Sequence, residues 1–139
     1  MKIAFYAPLK PPSHPVPSGD REMARALLAA LAGAGAEAVI ASDLRLYDGI
    51  GDAAAQADLT ARAEAEAARI IHEFAGSDLS AWITYHNYYK APDLIGPVVA
   101  RALDLPYIQI ESTRARKRLT GPWAAFARAA EAATDAASV

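Results

Sequence analysis

Polar and aromatic side chains are concentrated between residues 84 and 90, where the sequence is Thr-Tyr-His-Asn-Tyr-Tyr-Lys. The imidazole of His86 can act near neutral pH as a general acid, a general base or an orienting hydrogen-bond donor. Tyrosine rings stack on sugars and other rings while their hydroxyls form hydrogen bonds. We therefore take His86 as the candidate catalytic residue. The candidate binding residues beside it are Tyr85, Asn87, Tyr88 and Lys90. The alternative is a solvated loop in which the histidine has only a structural role.

A second charged segment follows the fourth predicted strand. Glu111 ends that strand and is a candidate binding residue. Four basic residues come soon after it: Arg114, Arg116, Lys117 and Arg118. Guanidinium and ammonium groups suit a phosphate or a lipid headgroup, so this segment predicts an anion-binding patch. The simpler interpretation is a solvated loop.

The sequence Ser18-Gly19-Asp20 opens the first predicted helix. The free N–H groups and the dipole of a helix N-terminus attract anions, and Gly19 would let a phosphate approach the backbone closely. Asp20 argues against an anion here because its carboxylate competes for the same N–H groups. An ordinary helix cap is the simpler interpretation of this segment.

Composition excludes several classes of function. The chain has 139 residues, 14 Lys and Arg against 16 Asp and Glu, and no Cys. A formal net charge of −2 predicts no bulk affinity for nucleic acid. Without Cys there is no disulfide framework, thiol nucleophile or cysteine-based zinc site, and the three scattered histidines lack the spacing of metal ligands. We therefore predict no metal.

Cofactor and membrane signals are also weak. The glycines at 33–35 and 49–51 match the spacing of a dinucleotide-binding motif, but neither pair lies in the strand–turn–helix context that this motif requires. The sequence also contains no phosphate-binding loop. A nicotinamide- or flavin-binding protein is thus the weakest hypothesis. No stretch approaches the about 20 apolar residues of a membrane span, and the N-terminal apolar run is too short for a signal peptide. We predict a cytoplasmic protein, with peripheral contact at the inner membrane face if the basic segment binds lipid.

The elements that must position these residues alternate regularly. Short apolar runs predict strands at 2–7, 38–42, 81–85 and 107–110, and helical periodicity predicts helices at 18–33, 53–75, 92–103 and 122–136. This order predicts an α/β fold, a doubly wound Rossmann-like parallel sheet with helices on both faces, in one domain. Ligands of such sheets bind beyond the carboxyl ends of the strands. We therefore expect Gly19, His86 and Glu111 to converge at one edge.

Several segments together resemble a known family. The helix of residues 18–31, the strand of residues 38–42, the segment 78–86 that ends in His86, and the strand of residues 105–108 resemble the N-terminal half-domain of glycosyltransferase family 4. Members of that family are retaining enzymes with the GT-B architecture, in which two Rossmann-like domains face each other across a cleft. The resemblance covers essentially the whole chain.

The resemblance implies the first half of a GT-B architecture and an acceptor-binding role. The complete enzyme would transfer a sugar from a nucleotide sugar to a hydroxyl of a glycan or lipid-linked acceptor, and this domain itself would bind no cofactor. The family often places a histidine at the end of the third strand, which His86 matches, and Gly19 matches the turn that approaches the donor diphosphate. The phosphate-binding candidates are then Gly19, Arg114, Lys117 and Arg118, and the acceptor-binding candidates are Tyr85, Asn87, Tyr88, Lys90 and Glu111.

The resemblance also implies a missing partner. We predict that residues 1–139 form a domain cut before its fifth strand, inactive without a donor-binding domain, with an unpaired edge at the fourth strand that favours self-association. The acceptor would be a sugar or a lipid phosphate. The alternative hypothesis is a non-catalytic α/β binding or scaffold module that pairs with another chain.

Overall fold

The computed structural model describes residues 1–139, which form four strands and four α-helices. The strands are β1 (Lys2–Tyr6), β2 (Glu37–Ile40), β3 (Leu79–Asn87) and β4 (Tyr107–Ser112). The helices are α1 (Gly19–Gly33), α2 (Ala53–Phe74), α3 (Gly96–Ala102) and α4 (Ala124–Ala136), and a short 3₁₀ helix (Arg116–Leu119) precedes α4. No helix combines the length and the apolar character that crossing a bilayer requires.

The four strands form one parallel sheet in the order β2-β1-β3-β4. The prediction of a doubly wound, Rossmann-like parallel sheet is therefore confirmed. From β1 the chain first moves outward to β2 and then returns past β1 to β3. The carboxyl ends of β1 and β3 thus flank the switch point, where sheets of this kind bind ligands.

Helices cover both faces of the sheet, as predicted. On one face, α1 packs through Ala24 and its leucines against Phe5 and Ile83. On the other face, α2, α3 and α4 enclose the larger core around Tyr6 and Trp82, both fully buried. Buried on both sides, the central strands are near-continuous apolar runs, typical of parallel sheets.

The start of α3 differs from the prediction. The sequence predicts a helix from residue 92, but α3 begins at Gly96 because the carboxylate of Asp93 accepts the N–H groups of Ile95 and Gly96 in a turn. Pro97 then falls in the first helical turn, where its missing N–H removes no intrahelical bond. Pro97 therefore does not interrupt α3, as it would in a helix that began at residue 92.

The outer edge of β4 is partly covered. The Ser138 N–H donates to the carbonyl of Tyr107, and the Gln109 N–H donates to the carbonyl of Val139. The expectation of a wholly unpaired β4 edge is therefore wrong for the first half of the strand.

A buried carboxylate organises the loop before α2. Asp48 accepts the N–H groups of Ile50, Gly51 and Asp52 and the side-chain amide of Gln56. Burial acts to raise the pKa of Asp48, but the hydrogen bonds from Gln56 and the three backbone N–H groups outweigh it and lower this pKa below its ordinary value. The ionised carboxylate therefore stabilises the folded state.

Asp48→Asn should lower the free energy of unfolding at neutral pH by about 1–3 kcal/mol, because it places an amide among donors. A carboxyl whose pKa is lowered by folding stabilises fully above its unfolded pKa and loses that contribution as the pH falls through its folded pKa. The difference between wild type and variant should therefore shrink below about pH 4. Urea unfolding of both proteins at neutral and acid pH measures this difference in the free energy of unfolding. A difference that does not depend on pH would contradict the stabilising role of the ionised Asp48 carboxylate.

Candidate functional site

The ends of the two neighbouring strands β3 and β4 carry matching strained residues. His86 has φ = 67° and Glu111 has φ = 61°, in the left-handed region that disfavours residues other than glycine. Tyr85 pairs with Ile110 and Asn87 with Ser112, so His86 and Glu111 lie in register. Such strain persists only where the surrounding structure enforces it, and it is concentrated at functional sites.

The left-handed conformations of these two residues place their side chains close together. His86 Nε2 lies 3.9 Å from Glu111 Oε1 across the strand ends. The third non-glycine residue with positive φ, Asp104, lies in the turn just after α3, where left-handed residues commonly terminate helices. The pair at β3 and β4 has no such ordinary explanation.

Asp20, in the first turn of α1, orients the imidazole. Its Oδ1 lies 2.8 Å from His86 Nδ1 and accepts the hydroxyl of Tyr85 at 3.2 Å. A carboxylate only accepts hydrogen bonds, so Nδ1 carries a proton, and in the singly protonated imidazole Nε2 is the nitrogen with a free lone pair. The expectation that Asp20 competes for the helix N–H groups is wrong. Ser18 caps α1 instead by accepting the Arg21 N–H.

The imidazole is largely covered by its neighbours. Its ring stacks on Tyr88, with centroids 4.7 Å apart and planes at 22°. The side chains of His86, Asp20 and Glu111 are 16%, 30% and 53% exposed, so part of the site is accessible to water and ligands. We call Asp20, Tyr85, His86, Tyr88 and Glu111 the His86 cluster. The predicted convergence at one edge of the sheet is thus confirmed for the segments that contain Gly19, His86 and Glu111.

The two tyrosines of this cluster stay neutral. Burial, with the charges of Glu111 and Asp20, raises the pKa of Tyr85, and burial, with further negative neighbours, raises the pKa of Tyr88 to about 12. Both hydroxyls therefore remain donors at physiological pH. Tyr85 itself is buried, so it holds Asp20 in place from beneath the surface.

The prediction that Asn87 contacts a ligand is wrong. Its side chain is fully buried, donates to the carbonyl of Ala130 in α4 at 2.9 Å, and accepts the Asp93 N–H at 2.9 Å. All of its hydrogen-bonding groups have partners inside the protein. Asn87 therefore fixes the end of β3 against α4.

The basic residues after β4 do not form one patch. Arg114, predicted to bind phosphate, pairs instead with two carboxylates of α4, those of Glu131 and Asp135. Lys117 lies exposed on the 3₁₀ helix. Arg118 turns instead to the rings of Tyr89 and Trp123.

Gly19 begins α1 beside Asp20, and a Cβ at this position would meet no atom within 4 Å. No protein contact therefore requires a glycine at this position. The preceding loop is held by the helix, because Arg21 and Arg25 donate to the carbonyls of His14 and Pro12. This loop forms the side of the edge next to β1.

Three open grooves lie elsewhere on the surface. The largest, of about 500 Å³, runs between α2 and α4 and is lined mainly by small apolar residues. No three His, Asp or Glu side chains lie close enough together to hold a metal ion. The His86 cluster is an open edge that a facing surface could complete.

Three important residues were missed at the sequence level. The sequence predicts Asp20 only as a competitor for anions, and no pattern in it indicates a role for Asp93 or Trp123. The Pro92-Asp93 dipeptide before a helix could have indicated the turn around Asp93, since such pairs are typical of turns.

Comparison of this chain with protein-family models, with curated proteins and with solved structures finds no match. The functional argument therefore depends on the geometry of the His86 cluster.

Proposed function

We propose that this chain is the acceptor-binding domain of a retaining glycosyltransferase, and that the His86 cluster holds the acceptor hydroxyl. The observation that carries the proposal is the pair of left-handed residues in register, with His86 oriented by Asp20 and facing Glu111. Strain of about 1–3 kcal/mol at each residue is retained only where it has a use or an overriding constraint.

Two neighbouring acceptor atoms of the site suit a sugar. His86 Nε2 and Glu111 Oε1 are 3.9 Å apart, a separation that allows two neighbouring hydroxyls of one ring to donate to them simultaneously. The ring of Tyr88, stacked on His86, offers an aromatic surface of the kind on which sugar rings pack. This arrangement selects polyhydroxylated ligands over apolar ones.

The chemistry of the proposed reaction assigns one role to each group. The attacking hydroxyl donates its proton to His86 Nε2, and its oxygen forms a bond to the anomeric carbon of the nucleotide sugar on the face from which the diphosphate departs. The bond from that carbon to the nucleoside diphosphate breaks, and the diphosphate leaves with the electron pair. Asp20 stabilises the imidazolium that forms, as carboxylates do beside catalytic histidines. A separate donor-binding domain supplies the nucleotide sugar, and retention of configuration follows from the family resemblance.

Saturation-transfer NMR on this chain with monosaccharides, disaccharides and inositol tests the proposal. We expect one class of these compounds to bind, and His86→Ala to weaken its binding about 10- to 100-fold. Asp104→Asn is the matched control, because it changes the other left-handed residue and leaves the His86 cluster intact. Absence of carbohydrate binding, or binding unaffected by His86→Ala, would refute the proposal and favour the non-catalytic module.

A further inference from the structure

Two cations lie over the same pair of aromatic rings beyond the His86 cluster. Lys90 Nζ lies 5.9 Å from the ring centroid of Tyr89 and 5.5 Å from that of Trp123. The guanidinium carbon of Arg118 lies 5.1 Å and 5.2 Å from the same two centroids. The two rings meet edge to face at 5.5 Å. We call these four residues the cation–aromatic corner.

Neither cation of this corner is neutralised. No carboxylate lies within ion-pair distance of Lys90 or Arg118, although the protein as a whole is slightly acidic. Attraction to aromatic rings places cations but leaves their charge uncompensated. Two like charges held at one pair of rings repel each other, and an anion between them removes that repulsion.

The corner is anchored by the loop before α2. Trp123 Nε1 donates to the carbonyl of Asp48 at 3.0 Å, and the Asp48 N–H donates to the carbonyl of Lys90 at 2.9 Å. The carboxylate of Asp48 is turned into its own loop, where it accepts four hydrogen bonds and is not available to the cations. The indole of Trp123 and the backbone of Lys90 are therefore held by the same loop.

The N-terminus of α4 adds to the positive electrostatic potential near the cation–aromatic corner. Trp123 is the N-cap residue of α4, and no side chain caps this helix. The positive end of the α4 dipole therefore lies at a residue of the corner.

We propose that the cation–aromatic corner binds a phosphoryl group. Lys90 and Arg118 supply an ammonium and a planar guanidinium, the two side chains that proteins use most for phosphate oxygens. The corner adjoins the His86 cluster through contiguous rings, since Tyr88 lies 5.6 Å from Tyr89 and 4.7 Å from His86. Resting on the proposed function, this inference specifies the acceptor as a phosphorylated sugar or polyol, with its hydroxyl at His86 and its phosphate at the corner.

Titration of this chain with inorganic phosphate at fixed ionic strength tests the site. Calorimetry measures the affinity, and tryptophan fluorescence reports on the corner, because Trp82 is fully buried while Trp123 is partly exposed. We expect Lys90→Ala and Arg118→Ala each to weaken phosphate binding about tenfold or more. Arg128→Ala is the matched control: it removes an exposed charge from α4 and should change the affinity less than about twofold.

A second arm identifies the source of the phosphoryl group. The chain is sedimented with vesicles of phosphatidylcholine alone or with added phosphatidic acid. Binding only to vesicles that contain phosphatidic acid, lost in Lys90→Ala and Arg118→Ala, supports a lipid phosphate, whereas binding of free phosphate supports a soluble one. Failure to bind either probe, or equal losses in Arg128→Ala, would overturn the site. Since no carbohydrate is present, that failure would leave the His86-dependent sugar binding to be judged separately.

Discussion

Glycine at position 86 should give a more stable protein than alanine, while both variants lose function equally. In an ordinary strand, a protein with glycine is less stable than one with alanine by about 0.5–1 kcal/mol. At φ = 67° the order should reverse, because alanine retains a left-handed strain of about 1–2 kcal/mol that glycine does not have. Urea unfolding of His86→Gly and His86→Ala measures this difference.

The expected effect of these substitutions on sugar transfer is larger than their effect on stability. Removal of the imidazole in either variant should reduce sugar transfer by about 10²- to 10⁴-fold when a donor-binding domain is present, the usual contribution of a general base. At the other left-handed position, Asp104→Gly should likewise be more stable than Asp104→Ala, but neither variant should lose sugar transfer. Transfer that survives in His86→Gly would show that the strained histidine has only a structural role.

Asp93→Ala should lower the free energy of unfolding by about 3–5 kcal/mol, the largest stability effect that we expect from one substitution. Asp93 is fully buried. Its carboxylate accepts the hydroxyls of Thr84 and Tyr107, both at 2.6 Å, together with the N–H groups of Ile95 and Gly96. Burial raises the pKa of Asp93, and these four donors oppose that effect by favouring the ionised form. Truncation would leave four buried donors without a partner.

Two further variants make the Asp93 measurement specific. Asp93→Asn keeps the shape and one accepting oxygen, so it should cost less, about 1–3 kcal/mol. Asp78→Ala removes a carboxylate that is 82% exposed and should change the free energy of unfolding by no more than about 0.5 kcal/mol. A loss below about 1 kcal/mol in Asp93→Ala would mean that the loop before α3 rearranges to satisfy the donors.

Asp93 also connects stability to the proposed site. It bonds β3 through Thr84 and β4 through Tyr107, and its own N–H donates to Asn87, the neighbour of His86. The two strands that carry His86 and Glu111 are thus held in register from below. Loss of Asp93 should therefore weaken ligand binding as well as the fold.

The fold was predictable because its signals are local. Short β-branched and aromatic runs stop at Pro8 or start after Pro106, and α2 presents its apolar residues with helical spacing over the predicted length. Parallel pairing then follows from the alternation of strands and helices. The start of α3 was missed because one side chain, Asp93, replaces the first helical turn with its own hydrogen bonds.

The site was predictable only in outline. The sequence places His86 and Glu111 at strand ends, and topology alone brings those ends together. No local pattern indicates that both adopt left-handed backbone conformations, since neither is glycine. The bond from Asp20 to His86 spans 66 positions and that from Trp123 to Asp48 spans 75, so each depends on how helices pack against the sheet.

Mapping of amide chemical shifts during titration with the best-binding carbohydrate tests the central claim most directly. The proposed site predicts the largest shifts at residues 19–20, 85–88 and 111–112, and their loss in His86→Ala. Shifts centred instead on the groove between α2 and α4, around Ala57 and Ala129, would contradict it.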